Sequence, residues 1–353
     1  MKPSTPLRAG RFPAIDGLRG VAILSITALH IWSVAGCPAT IFAPLLAAGS
    51  FGPSIFFAIS GFVLYLSYAR DPNALRFYRR RAWRLIPAYY VAVLLWSVIS
   101  PDHSLRQLWT HLTFTHGFWP DTLGGLTIPL WFIAPLVQFY LVFPFLADAM
   151  RRRPLLVALL AFGVSIAVQV PGGTLWQRSL LGHIAECVFG MYAAHLILAG
   201  HGARVPRWFS WATITAACCA PIALFNLHPV AYPPFWWWVS ILCAPLWAAL
   251  ILVCTTSRVP FTKPLATVGR VSYSLYLYNL AGFALAPAFV WPLQLAITAS
   301  VALAAYPLEQ IGRYLEQVHR LIRRVVAVGT VANGSRNQPA PCYDQHQIPD
   351  SQN

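Results

Sequence analysis

The chain reads as an all-α, polytopic membrane bundle of about ten transmembrane helices with both termini in the cytoplasm. Three observations predict this fold class. Hydrophobic residues make up 58% of the chain and charged residues 10%, whereas a soluble domain is about one-quarter charged. The mean hydropathy is +0.59, and apolar stretches long enough to cross a bilayer as helices recur from end to end. The basic residues also segregate by side. With the N-terminus inside, 23 of the 25 Lys and Arg fall on or near cytoplasmic segments and only Arg106 and Arg178 fall outside, as the positive-inside rule requires. That distribution also accounts for the net charge of +15 without nucleic acid as a partner.

Taken in order, the apolar stretches fall at roughly 14–34, 51–69, 85–100, 129–149, 154–170, 179–199, 209–226, 235–254, 271–290 and 292–308. Residues 1–13 form a short basic cytoplasmic lead and 14–308 the membrane domain. Residues 309–328 read as a basic amphipathic cytoplasmic helix, and 329–353 as a disordered tail rich in Asn, Gln, Ser and Pro. The first stretch is too long, and its Arg19/His30 pair too polar, for a cleaved signal peptide. The seven cysteines include no C-x-x-C, which indicates neither a disulfide framework nor a zinc site. His103, His111 and His116 lie in the longest outside loop, but their spacings of eight and five match no common metal-ligand pattern. The sequon at Asn333 lies on the cytoplasmic tail and is expected to stay unused. Phe235-Trp-Trp-Trp238 reads as an interfacial belt.

Three sets of polar residues stand out against this background. Arg19 and His30 are eleven residues apart, which returns a helix to within about 20° of its starting direction and separates the two by about 16 Å. Arg19 then lies at one membrane surface and His30 near the middle, a costly depth for an ionisable group unless it has a function. A histidine packed in a polar pocket is the blander alternative. Asp16, three residues before Arg19 on the same face, most simply orients its guanidinium.

The second set is the run of five arginines within residues 76–84, with Arg76, Arg80 and Arg84 at helical spacing and Arg81 to Arg84 an i, i+3 step. Arginine forks bind phosphates bidentately, so Arg80, Arg81 and Arg84 suit a phosphorylated cytosolic donor. Charge alone supports headgroup binding equally well. The third set is the intramembrane acids: Glu186 pairs with an arginine or helps bind a polar substrate, and Glu309 is expected in a salt bridge to an arginine.

These residues fall within a series of motifs. Phe12-Pro-Ala-Ile-Asp-Gly-Leu-Arg-Gly20 followed by His30, Ser54-Ile-Phe-Phe-Ala-Ile-Ser-Gly-Phe62 and Phe77-Tyr-Arg-Arg-Arg-Ala-Trp-Arg-Leu-Ile-Pro87 occur in that order. Leu130-Trp131, Gln138-Phe-Tyr-Leu-Val-Phe-Pro144, Glu186 with Gly190-Met191, and Ser272-Tyr-Ser-Leu-Tyr-Leu277 follow. In this order the chain resembles the acyltransferase-3 family of integral-membrane acyltransferases over about residues 12–312. The resemblance implies transfer of an acyl group, commonly acetyl from acetyl-CoA, to a hydroxyl of a sugar or surface glycoconjugate. It carries over Arg19, His30, Arg81 and Arg84, and marks Ser60, Gln138, Tyr140, Glu186, Tyr276 and Asn279 as pocket candidates. Two positions depart from the family pattern: Leu136 stands where many members have glutamate, and Asn279 where many have histidine.

The expectation is therefore an O-acyltransferase of the bacterial inner membrane, with no bound cofactor or metal and with acyl-CoA as co-substrate. His30 is the general base or a transient acyl carrier, Arg19 and Asp16 complete the catalytic group, and Arg80, Arg81 and Arg84 bind the donor. The rival reading is a transporter or flippase of an acylated or lipid-linked sugar, suggested by Pro53, Pro87, Pro135, Pro221 and Pro245 in the spans and by Glu186. A non-enzymatic scaffold leaves His30 unexplained.

Overall fold

The computed structural model describes residues 12–170, 173–201, 206–227, 233–256, 263–287 and 291–334. The basic lead through Arg11, Arg204, Arg258, Ser335 of the sequon and the tail beyond it lie outside the described residues, as do the side chains of Phe235, Trp236 and Trp237. In chain order the helices are α1 (Pro13–Val34), α2 (Ala43–Ala47), α3 (Gly52–Arg70), α4 (Ala74–Ile99), α5 (Leu105–Leu112), α6 (Ile133–Arg152), α7 (Pro154–Gln169) and α8 (Thr174–Gln177). They continue as α9 (Leu180–Leu198), α10 (Arg207–Leu227), α11 (Pro233–Leu242), α12 (Ala244–Thr256), α13 (Lys263–Arg270), α14 (Ser272–Tyr278), α15 (Ala281–Leu285) and α16 (Trp291–Gly334). There is no β-strand among the described residues.

Among the described residues, five helical stretches are long and apolar enough to cross a membrane: Pro13–Val34, Ala43–Arg70, Ala74–Ile99, Ile128–Arg152 and Leu175–Leu198. Two further apolar helices, α7 and α12, are shorter. The outward faces carry Leu24, Leu94, Leu141, Phe145 and Leu159, all exposed, as expected of helices whose solvent is lipid.

α9 packs against α3, α6, α7 and α12 and occupies the middle of the bundle. Its seam with α3 depends on two glycines facing opposite ways. A Cβ on Gly61 would fall 1.8 Å from Cys187 O, and one on Gly190 would fall 1.9 Å from Ala58 O. Small residues at such crossings let the backbones approach closely, which drives association where there is no hydrophobic effect between helices.

Several elements differ from the sequence expectation, each for a local reason. The span expected from 85 begins eleven residues earlier and takes in the arginine run: α4 starts at Ala74, where the Asn73 side chain accepts the Arg76 backbone N–H at 2.8 Å and caps the helix. The stretch at 235–254 is two helices, since Pro245 follows directly on Ala244 and proline has no N–H with which to continue α11. The stretch at 271–290 breaks at Asn279 and Leu280. There α16 meets the freed backbone groups: Gly282 N–H donates to Thr298 Oγ1 at 2.9 Å, and Gln294 Nε2 donates to Ala286 O at 3.0 Å. The last expected span and the amphipathic segment after it form one continuous helix, α16.

The loop at 101–128 is folded. His111 and His116 stack with ring centroids 4.2 Å apart and are fully buried. His111 donates from Nδ1 to Gln107 O at 2.8 Å and His116 from Nε2 to Leu130 O at 3.1 Å. Burial lowers His111 to about 4, and burial together with the neighbouring His111 lowers His116 to about 3. No group of three metal-type side chains comes together among the described residues.

Candidate active site

Five helices each turn a face toward one cavity of about 100 Å³. Arg19 reaches it from α1, Arg81 and Arg84 from α4, Ser60 from α3, Tyr140 from α6 and Tyr276 from α14. Six of the residues singled out from the sequence thus share one lining, although they come from positions as distant as 19 and 276.

The arginines are held from behind. Arg19 Nη1 lies 3.6 Å from Oδ1 of Asp16, itself 5% exposed. The Arg81 guanidinium sits 5.9 Å from the centroid of Phe77, and that ring stacks on Phe143 at 4.7 Å. An aromatic face at this range both attracts the cation and limits its motion.

The arginine run divides by helix face. Arg81 and Arg84 point into the cavity, while Arg80, expected among the donor ligands, is absent from its lining. Arg80 instead bonds Asp71 at 2.7 Å, and Arg76 bonds the other oxygen of Asp71 at 2.6 Å. The Arg80 hydrogen bond, followed by the charge of Arg76, holds the Asp71 carboxyl below its usual range.

His30 is not on the lining either. It lies only four residues before the end of α1 at Val34, nearer that end than the middle of the helix. There it faces Asn279 at the end of α14, three residues beyond Tyr276. His30 Nδ1 and the Asn279 amide are both buried, and the Asn279 side chain is the polar group within hydrogen-bonding reach of the imidazole. Asn279, a departure from the family pattern, is therefore the neighbour of His30, separated from the cavity by the turn that carries Tyr276.

The other candidates are apart from this group. Gln138 Oε1 accepts the Leu180 backbone N–H at 3.0 Å and caps the start of α9. Glu186 is fully buried, with Oε1 accepting from His183 Nδ1 at 3.1 Å and from Ser240 Oγ at 3.2 Å. Ser54 in turn bonds Ser240. Glu309 Oε1 accepts both the N–H and the hydroxyl of Ser274, at 2.8 and 2.5 Å. Sequence reasoning did not single out His183, Ser54, Ser240, Phe56 or Phe132. The recurrence of Phe132, Leu136 and Tyr140 every four residues was the one signal available, and all three line the cavity.

Guanidinium groups facing an aromatic-walled cavity within a bundle of membrane-length helices define a multi-pass membrane protein with a cationic pocket among its helices. The comparisons with known proteins give the class a family. The acyltransferase domain model of the acyltransferase-3 family matches residues 12–309, and the chain belongs to that family. The matched region is described by that model as an acyltransferase domain.

Three curated relatives illustrate the range of similarity. Acyltransferase MdmB of Streptomyces mycarofaciens is 30% identical over 42% of each chain. The putative membrane-bound transacylase BcsY of Komagataeibacter xylinus is 24% identical over 77% of this chain and 73% of its own. Peptidoglycan O-acetyltransferase OatA of Listeria monocytogenes is 26% identical over 79% of this chain and 50% of its own. The chain thus spans about half or less of the first and third of these relatives. No solved structure matches it.

Proposed function

We propose that this protein is a membrane-embedded O-acyltransferase that moves an acyl group from a cytosolic acyl-CoA to a hydroxyl of a sugar or surface glycoconjugate. Both termini would face the cytoplasm across about ten spans of a bacterial inner membrane. The observation that carries the reading is the convergence of Arg19, Arg81 and Arg84 on one cavity with Ser60, Tyr140 and Tyr276. Paired guanidiniums suit the phosphates of a CoA donor, and relatives named as O-acetyltransferases support transfer to oxygen.

A thioester is already activated, so the chemistry needs a base for the acceptor hydroxyl and stabilisation of the oxyanion. His30 takes the acceptor proton while the acceptor oxygen attacks the thioester carbonyl. The C–S bond then breaks, and the CoA thiolate leaves toward the arginines. In a two-step route His30 itself carries the acyl group between the two sides. Of the five prolines that suggest a transporter, Pro87 and Pro221 lie inside α4 and α10, but the other three do not interrupt a helix. Pro53, Pro135 and Pro245 occupy first turns of α3, α6 and α12, where proline is ordinary.

The test is donor turnover by lipid-reconstituted protein with radiolabelled acetyl-CoA, alongside mass spectrometry of surface glycans from whole cells. Wild type should consume donor, and His30→Ala should lose at least 10²-fold, the usual size of a lost general base. Normal transfer by His30→Ala at normal protein level would overturn the assignment. A reporter fused after residue 353 that behaves as external would overturn the topology.

A further inference from the structure

A second recess, separate from the arginine cavity, lies where α6 turns into α7. The connection is Arg153 alone, since α6 ends at Arg152 and α7 starts at Pro154. Both helices line a groove of about 420 Å³ with one face each. The spacing is i, i+3, i+7 on both sides: Phe145, Asp148 and Arg152 along α6, then Arg153, Leu156 and Leu160 into α7. Seven residues of helix rise about 10 Å, so Phe145 and Leu160 both lie about that far below the arginines. The two ends differ in chemistry. Asp148, the acid of the lining, is paired at 2.6 Å with Arg151, which is not part of it. Arg152 and Arg153 therefore leave the upper end cationic. The lower end is carbon: Phe145 is 75% exposed, and Leu156 and Leu160 are exposed as well.

From this geometry we infer that the groove is a binding site for one anionic phospholipid, its phosphate between Arg152 and Arg153 and its acyl chains over Phe145 and Leu160. Exposed apolar side chains grouped beneath a polar rim mark a surface that another apolar molecule covers, and guanidinium forks hold phosphate oxygens bidentately. A free phosphate would meet the arginines and leave the apolar wall unused. A choline headgroup would bring a second cation toward the two guanidiniums, and Asp148 is already paired with Arg151. An arginine beside an anionic lipid gains about fivefold in affinity, so the two together favour an anionic headgroup about 25-fold. The site is independent of the donor cavity and of the transfer chemistry.

The experiment is native mass spectrometry of the full-length protein in detergent, titrated with dioleoyl phosphatidylglycerol or with dioleoyl phosphatidylcholine. These lipids differ only in the headgroup. One phosphatidylglycerol should be held about 25-fold more tightly than phosphatidylcholine. Arg152→Gln and Arg153→Gln should each lower that preference about fivefold. Arg70→Gln removes an exposed arginine at the end of α3, outside the groove, and should leave the preference unchanged. Equal binding of the two lipids overturns the inference. So does an equal loss in the Arg70 variant, the mark of diffuse attraction to the membrane edge. Displacement of bound phosphatidylglycerol by inorganic phosphate, but not by sodium chloride at matched ionic strength, overturns the lipid as occupant in favour of a phosphate site. The wild-type comparison decides the question even if a variant does not fold.

Discussion

Gly269→Ala is expected to damage the protein at a point where packing and chemistry meet. Gly269 lies on α13 against α1, and a Cβ built there falls 1.7 Å from Asp16 O, 2.7 Å from Asp16 C and 2.9 Å from Gly20 N. Ordinary contact starts at 3.4 Å, so α13 and α1 must part by about 1.7 Å or both must bend. The atoms it meets are backbone and cannot rotate aside. Alanine is the better helix former by about 1 kcal/mol, whereas overpacking a close contact costs about 1–3 kcal/mol. The net result should be a loss of up to about 2 kcal/mol, seen as a drop of up to roughly 4 °C in apparent Tm. The displaced residue is the carboxylate 3.6 Å from Arg19. A misplacement of about 1 Å in a positioned group costs on the order of 10²-fold in rate, so donor turnover should fall further than stability does. Gly163→Ala is the control: nothing lies within 4 Å of its Cβ, and it should be neutral or stabilise by about 0.5–1 kcal/mol. Thermal scans in detergent and donor turnover would be read on both variants. Wild-type Tm and turnover in Gly269→Ala would refute the close contact between α13 and Asp16.

The remaining predictions concern titration and buried polar groups. His111 and His116 have folded pKa values below the unfolded value of 6.5, so the unfolded chain binds more protons and stability is lost as pH falls below about 6.5. At pH 5 the loss is about 2 kcal/mol per histidine. An apparent Tm unchanged between pH 7.5 and 5 would contradict the buried stack. Glu186→Leu strands the donors of His183 and Ser240 in the core and should cost about 3 kcal/mol or more, whereas Glu186→Gln keeps a carbonyl acceptor and should cost less. Equal thermal stability of the two variants would argue against those hydrogen bonds. Arg81→Ala should weaken CoA binding about tenfold or more, from the loss of about 1.5–3 kcal/mol in charged hydrogen bonds. Titration with CoA alone reads this out, and unchanged affinity would remove Arg81 from the donor site.

Much of this protein was legible in its sequence because hydropathy and helical periodicity are properties of a residue and its near neighbours along one chain. The apolar spans at α1, α3, α6 and α9 fall within a few residues of where composition places them. The i, i+3 step from Arg81 to Arg84 and the pairing of Asp16 with Arg19 follow from the 3.6-residue turn. What neighbouring helices do to one another was not legible. Asp71 draws Arg80 off the cavity, a choice among helix faces that charge count alone leaves open. Thr298 and Gln294 satisfy the backbone broken near Asn279, so the interruption of an apolar stretch was decided by α16. Leu136 appeared in the sequence only as a departure from a pattern, and its place on the cavity wall depends on how α6 is rotated against α3 and α14. Local periodicity thus determined the helices and their polar residues by itself. Contacts between residues hundreds of positions apart, set by close packing and by the need to satisfy every buried polar group, decided which of those residues form the site.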